Sequence, residues 1–150
     1  MRNVGQTGVE VKAASSTFSS ATGDGYELQM GRFARVLAPK FIDFVGLADS
    51  GQLLDAGCGT GALSTEVLQR TQLVEVIGVD ISAAYAAHAN ATISNLRASF
   101  SQGDLTDLQF DDHSFDQVMS QLVLMFVPDA EKAVRELVRV TKPGGTVSAT

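Results

Sequence analysis

The chain has 150 residues, 45% of them hydrophobic, with 17 acidic against 11 basic side chains and a formal net charge of -6. That size and apolar content suit one domain burying roughly 70% of its unfolded surface, and the negative balance argues against a nucleic-acid backbone or an anionic membrane as the main partner. The single cysteine, Cys58, excludes an internal disulfide and a cysteine-pair zinc site, and no run approaches the ~20 apolar residues of a membrane span, so a small-molecule partner and a reducing, cytoplasmic setting are expected.

Residues 1–25 carry Ser15, Ser16, Thr17, Ser19 and Ser20 without an apolar run of signal-peptide length, and they read as a disordered leader. A transit peptide would also be Ser-rich, but Arg2 and Lys12 are few cations for one. The domain is expected over 26–150. Between Tyr26 and Val45 the residues Leu28, Phe33, Val36, Leu37, Phe41 and Phe44 recur at helical spacing with Pro39 interrupting, which predicts two short helices. Residues 52–56 form a short apolar run that ends in glycines, followed by Leu63, Val67 and Leu68 on one helix face.

The unit repeats. Residues 73–79 predict a second strand ending at Asp80, Ser82 suits an N-cap, and Tyr85, Ala86, Ala89 and Ile93 line the next helix. A third strand is expected over 98–102, ending near Asp104, and a fourth over 116–121. Pro128 is expected to open a helix through Ala133, Val134, Leu137, Val138 and Val140, with Asp129 and Glu131 in its first turn. Lys142, Pro143, Gly144 and Gly145 then end it, and 146–149 begin a fifth strand. Alternation of this kind implies an α/β, doubly wound, mostly parallel sheet with flanking helices and a ligand beyond the carboxyl ends of the strands.

Three successive strands finish with a carboxylate there: Asp55, Asp80 and Asp104. Gly57, Gly59 and Gly61 alternate between the first strand and its helix, where missing side chains allow a sharp turn and close backbone approach. Read as Gly57-x-Gly59-x-x-Ala62 with Asp80 as the ribose acid, the loop also satisfies the dinucleotide fingerprint, so an NAD(P)-binding oxidoreductase domain is an alternative. Asp55 weighs against it. A carboxylate beside the loop repels a pyrophosphate and attracts an ammonium or sulfonium, by roughly 4 kcal/mol at about 4 Å and an effective dielectric near 20, before desolvation.

The run Leu53-Leu54-Asp55-Ala56-Gly57-Cys58-Gly59-Thr60-Gly61 resembles the first motif of the Rossmann-like, class I S-adenosylmethionine-dependent methyltransferases. Val79-Asp80-Ile81-Ser82, Gly103-Asp104-Leu105, Phe115-Asp116-Gln117-Val118 and Lys142-Pro143-Gly144-Gly145 follow in that family's order. The resemblance is nearest to the ubiquinone/menaquinone-biosynthesis type, some bacterial members of which carry a segment like that from Tyr26 to Arg32. It implies strand order 3-2-1-4-5 and transfer of a methyl group from S-adenosyl-L-methionine to an unidentified small molecule. It also implies that Asp55 and the backbone of Gly57, Cys58, Gly59 and Gly61 hold the methionine part, while Asp80 accepts from both ribose hydroxyls. Asp104 takes the adenine amino group, Leu105 offers its N–H to the ring, and Ile81 packs on its face. Gln121 and Leu122 border the methyl group, and Arg32 reaches the cofactor carboxylate.

Related enzymes usually continue past the fifth strand with a further helix and an antiparallel strand pair. The resemblance therefore implies a core lacking that final pair, with the fifth strand as an open edge that invites homodimer pairing. A non-catalytic cofactor-binding or assembly module is a further alternative. No catalytic base stands out. Cys58 reads as a small packed thiol, His88 as a surface residue, and His113 as part of a solvated turn rather than a metal site. Leu124, Met125, Phe126 and Val127 read as core, with a substrate pocket as the alternative, and Lys132, Arg135 and Arg139 as a solvated helix face.

Overall fold

A computed structural model describes residues 30–150, so the expected leader, Tyr26 and Leu28 lie outside the described residues. Helix α1, Arg32–Val45, is a single helix where Pro39 was expected to divide two. Its buried face, Ala34, Ala38, Phe41 and Ile42, keeps helical spacing straight through the proline. Proline lacks the N–H that would reach the Arg35 carbonyl one turn back, and Gln121 Nε2 adds a tertiary bond to the neighbouring Ala34 carbonyl at 2.9 Å. Packing of Ala38, Phe41 and Ile42 on the sheet carries the helix through the break that the local sequence suggested.

The remaining elements are β1 (Gly51–Ala56), α2 (Ala62–Arg70), β2 (Val74–Asp80), α3 (Ala83–Thr92), β3 (Ala98–Gln102), β4 (Phe115–Ser120), α4 (Ala130–Val140) and β5 (Thr141–Ala149). They build one five-stranded, wholly parallel sheet of order β3-β2-β1-β4-β5, as the resemblance implied. The central strands are apolar on both faces because both are covered. Leu53, Val76 and Met119 pack with α1 and α2 on one side, whereas Leu54, Ala56, Val79 and Val118 pack with α4 on the other. Chain direction across the sheet reverses between β1 and β4, which opens the crevice at their carboxyl ends.

Several expected boundaries move. Helix α4 starts at Ala130 with Asp129 as its N-cap, accepting from Lys132 N at 2.9 Å, so Pro128 precedes the helix instead of opening it. Strand β5 begins at Thr141, not residue 146. Its register jumps from Phe115↔Thr141 to Gln117↔Thr146, so Lys142, Pro143, Gly144 and Gly145 form a bulge within the strand. Lys142 Nζ secures that bulge on Asp116 Oδ2 at 2.9 Å. The run expected as core after β4 is a short 3-10 turn, Leu124–Phe126, with no buried residue and Met125 65% exposed. Leu124 and Val127 alone of that run pack against the core.

Arg139 is likewise more than solvated. Its guanidinium donates to Glu136 and Asp112 and to the carbonyls of Leu108 and Phe110, pinning the loop that leads from Asp104 to β4. Leu137, fully buried beside Ala133 and Val140, carries the packing of α4 on the sheet. Leu137→Ala is expected to lower stability by about 2–5 kcal/mol, read as an earlier urea midpoint at unchanged slope.

Candidate cofactor site

The glycine loop is pinned to β2 by its own backbone. Gly57 N and Cys58 N both donate to the Val79 carbonyl, at 2.8 and 2.9 Å, and Gly59 N donates to Asp80 Oδ2 at 2.8 Å. Gly57 has φ 81°, and a Cβ there would lie 2.4 Å from a Val123 methyl. Gly61 has φ 88°, and its Cβ would lie 2.3 Å from Ile93 Cδ1. The positive φ demands glycine at both positions, and at Gly57 the Val123 side chain leaves no room for a Cβ as well.

Asp55 is 1% exposed, and both of its hydrogen bonds go to one oxygen: Ser64 Oγ donates to Oδ2 at 2.6 Å and Ser64 N at 3.1 Å. Burial pushes its pKa up to about 6 against the lowering by Ser64, and the nearby Asp80 charge adds to the rise. Asp80 accepts from Gly59 N on Oδ2 and from Ser82 N on Oδ1 at 2.9 Å. Burial raises it too, opposed by those two N–H groups. Ser82 also caps α3, as expected, accepting from Tyr85 N.

Asp104 is half-buried and folds its Oδ1 back onto Thr106 N and Oγ1, each at 2.8 Å. Ile81 is half-buried beside the end of β2, and Leu105 is buried in the α4-side core with Leu54 and Val79. Gln121 is buried one residue past β4, with Nε2 on Ala34 and Oε1 without a partner among the described residues. Leu122 has φ 58° and donates its N–H to the Thr150 carbonyl at 2.8 Å. Arg32 is exposed, its guanidinium 4.7 Å over the Phe33 ring, and no described contact takes it to the strand ends.

Cys58 is the packed thiol expected, set against Ala86, Ala89 and Phe100 and pushed up in pKa by burial first, then by Asp55 and Asp80. His88, half-buried, lines a cavity of about 470 Å³ with Arg35, Thr65 and Glu66. His113 sits in an exposed turn, its Nδ1 3.0 Å from the Thr141 carbonyl, and among the described residues no cluster of His, Cys, Asp or Glu could hold a metal ion. Sequence reasoning missed Ser64. The legible signal was a serine beside Leu63 on the apolar face of α2, nine positions after the carboxylate it serves.

Buried carboxylates at these strand ends suit a cationic, phosphate-free adenosyl compound better than a pyrophosphate, which Asp55 would repel. The sheet order and all-parallel pairing are those of the Rossmann-like, class I S-adenosylmethionine-dependent methyltransferases. A family model of the methyltransferase domain matches residues 54–149, and the chain belongs to that family. It is 36% identical over 110 residues to the ubiquinone/menaquinone biosynthesis C-methyltransferase UbiE of Bdellovibrio bacteriovorus, covering 72% of this chain and 47% of the relative. It is 38% identical over 98 residues to the trans-aconitate 2-methyltransferase of Deinococcus radiodurans, covering 65% of this chain and 36% of the relative. Among solved structures, an S-adenosylmethionine-dependent methyltransferase from Mesorhizobium loti superposes with TM-score 0.66 at 26% identity, over 73% of this chain and 49% of that one. The chain thus spans less than half the length of these relatives.

The charge of Asp55 has a testable sign. A carboxyl raised from 3.8 to about 6 destabilises the folded chain fully above that value, and the penalty disappears as the pH falls through it towards the unfolded value. Asp55→Asn is expected to stabilise the ligand-free chain at pH 8 by on the order of 2–3 kcal/mol, with the gain shrinking to near zero by pH 4. Thermal unfolding of both proteins across that range checks it. An equal difference at both ends would assign the effect to packing.

Proposed function

We propose that this chain is the cofactor-binding core of an S-adenosylmethionine-dependent methyltransferase that acts on a small molecule. The buried carboxylate of Asp55, beside a glycine loop that carries no cation of its own, is the observation behind this reading. Asp55 and the loop backbone at Gly57, Cys58, Gly59 and Gly61 hold the methionine part, and Asp80 takes the ribose hydroxyls with lone pairs left after Gly59 and Ser82. Asp104 and Leu105 bind the adenine edge, Ile81 its face, and Leu122 borders the transferred group. Arg32 stays in this assignment only if its side chain leaves the Phe33 ring.

When bound, S-adenosylmethionine supplies the electrophilic methyl on its sulfonium. The chain's own work is orientation and exclusion of water: the pinned loop fixes the two buried carboxylates at the ends of β1 and β2. No residue is assigned as a base, and the two named relatives act on different acceptors, a quinone precursor pathway and trans-aconitate, so the acceptor class stays broad. A cytoplasmic setting belongs to the same proposal, supported by the lone buried thiol. Among the described residues no helix is long and apolar enough to cross a membrane.

Thermal unfolding with S-adenosylmethionine, S-adenosylhomocysteine and NAD tests the reading. The two sulfur compounds are expected to stabilise the chain by about 2.7 kcal/mol at a hundred times their Kd, with NAD inert and the effect lost in Asp80→Ala. A shift with NAD alone would favour the dinucleotide reading. Cofactor binding without transfer to any acceptor would favour a non-catalytic module.

A second observation supports self-association. Thr150 exchanges both backbone bonds with the β4 side, donating to Ser120 O at 3.0 Å and accepting from Leu122 N, so by strand alternation the N–H and C=O of Ala149 and Val147 face away from β4. We propose that this edge, outermost among the described strands, pairs with a second copy. Sedimentation at high concentration is expected to reveal a dimer that a proline at Val147 removes; a strictly monomeric profile would sink the idea.

A further inference from the structure

Gln121 stands on the same sheet face as Asp55. Asp55 is paired with Met119 in the β1–β4 register, and a side chain two residues further along β4 returns to that face. The side chains confirm the placement: Asp55 reaches Ser64 at the start of α2, and Gln121 reaches Ala34 near the start of α1, both helices covering this face.

One end of the Gln121 amide is committed. A carbonyl oxygen only accepts, so the bond to Ala34 O fixes Nε2 there and leaves Oε1 as the free end. That oxygen is buried without a partner among the described residues, on a residue only 6% exposed. The chain around it is constrained as well: Leu122 is held at φ 58° and the Val123 side chain fills the space over Gly57. A buried acceptor left unsatisfied by the described residues, next to a residue held at positive φ, calls for a donor from outside them.

On the reading proposed above, the donors of the cofactor divide in space. The adenine amine and the ribose hydroxyls go to the β2 and β3 ends, with Asp104 and Asp80, which leaves the α-ammonium for the β1 and β4 ends. We infer that Gln121 Oε1 accepts a hydrogen bond from that ammonium, with Asp55 on the adjacent strand as its counter-charge. Gln121 is then the specificity-determining residue for the amino-acid end of the ligand, and the same amide ties α1 to the occupied site. This inference rests on the cofactor reading and adds to it a role for a side chain expected only to border the methyl group.

Calorimetric titration of the chain with S-adenosylhomocysteine and with 5′-methylthioadenosine separates the possibilities. The second ligand keeps adenine, ribose and thioether but lacks the amino-acid end. Gln121→Met is expected to weaken S-adenosylhomocysteine roughly 10- to 100-fold while 5′-methylthioadenosine stays within about twofold. Gln121→Glu keeps an acceptor oxygen but cannot donate to Ala34 as a carboxylate, and it is expected to bind S-adenosylhomocysteine far more tightly than Gln121→Met does. Equal weakening of both ligands in Gln121→Met would mean that the amide acts only by holding α1, and overturns the assignment. Unchanged S-adenosylhomocysteine affinity overturns it too. Binding of neither ligand by the unsubstituted chain would remove the cofactor reading and this inference together.

Discussion

Three main-chain bonds from the glycine loop to the end of β2 are the constraint on which the site depends. Gly57 and Cys58 share the Val79 carbonyl, and Gly59 takes the Asp80 carboxylate, so the exit of β1 is tied to the exit of its neighbour before either helix begins. Because the loop cannot swing, α2 starts at a fixed point, and Ser64 in its first turn lands on Asp55. Because the same carboxylate that braces Gly59 also accepts from Ser82, α3 starts at a fixed point too. Two helices, one loop and two carboxylates therefore form one rigid corner.

The carboxylates of Asp55, Asp80, Asp116 and Glu136 are shifted, in two opposite directions. Asp116 is held below the usual range, first by the N–H of Gln52 and then by Lys142, and Glu136 is held low by Arg139. Those pairs fasten the β5 bulge and the loop before β4. Asp55 and Asp80 are pushed the other way, by burial above all, and their recorded hydrogen bonds come from neutral hydroxyl or backbone donors. Two buried acids at the switch point, without a cationic partner among the described residues, are the charge pattern on which the proposed positive ligand rests. Membership of the methyltransferase-domain family is consistent with that charge pattern.

Much of the site was legible along the chain because its parts are local. Strand, Gly-x-Gly-x-Gly turn and helix occupy consecutive residues, Asp55 and Asp80 each follow an apolar run and Asp104 follows the short strand β3, so alternation alone brought all three to one edge of the sheet. Ser82 as a cap and Cys58 as a packed thiol followed from nearest neighbours in the same way. Sheet order came from the motif resemblance, since short apolar runs do not state which strand lies beside which.

Tertiary structure decided what depends on residues far apart in the chain. Pro39 breaks a helix by local rules, yet α1 continues because Ala38, Phe41 and Ile42 pack against Leu53, Val76 and Met119 of the sheet, residues distant in the chain. Arg139 reads as solvated until the loop before β4 folds its carbonyls around it. The glycine pair after α4 reads as a helix stop, but Asp116 and Lys142 turn it into a bulge inside β5. Periodicity and propensity report on the few residues that share a turn or a face. The orphaned oxygen of Gln121 arises only when a strand end and a distant helix meet, and no local pattern encodes that meeting.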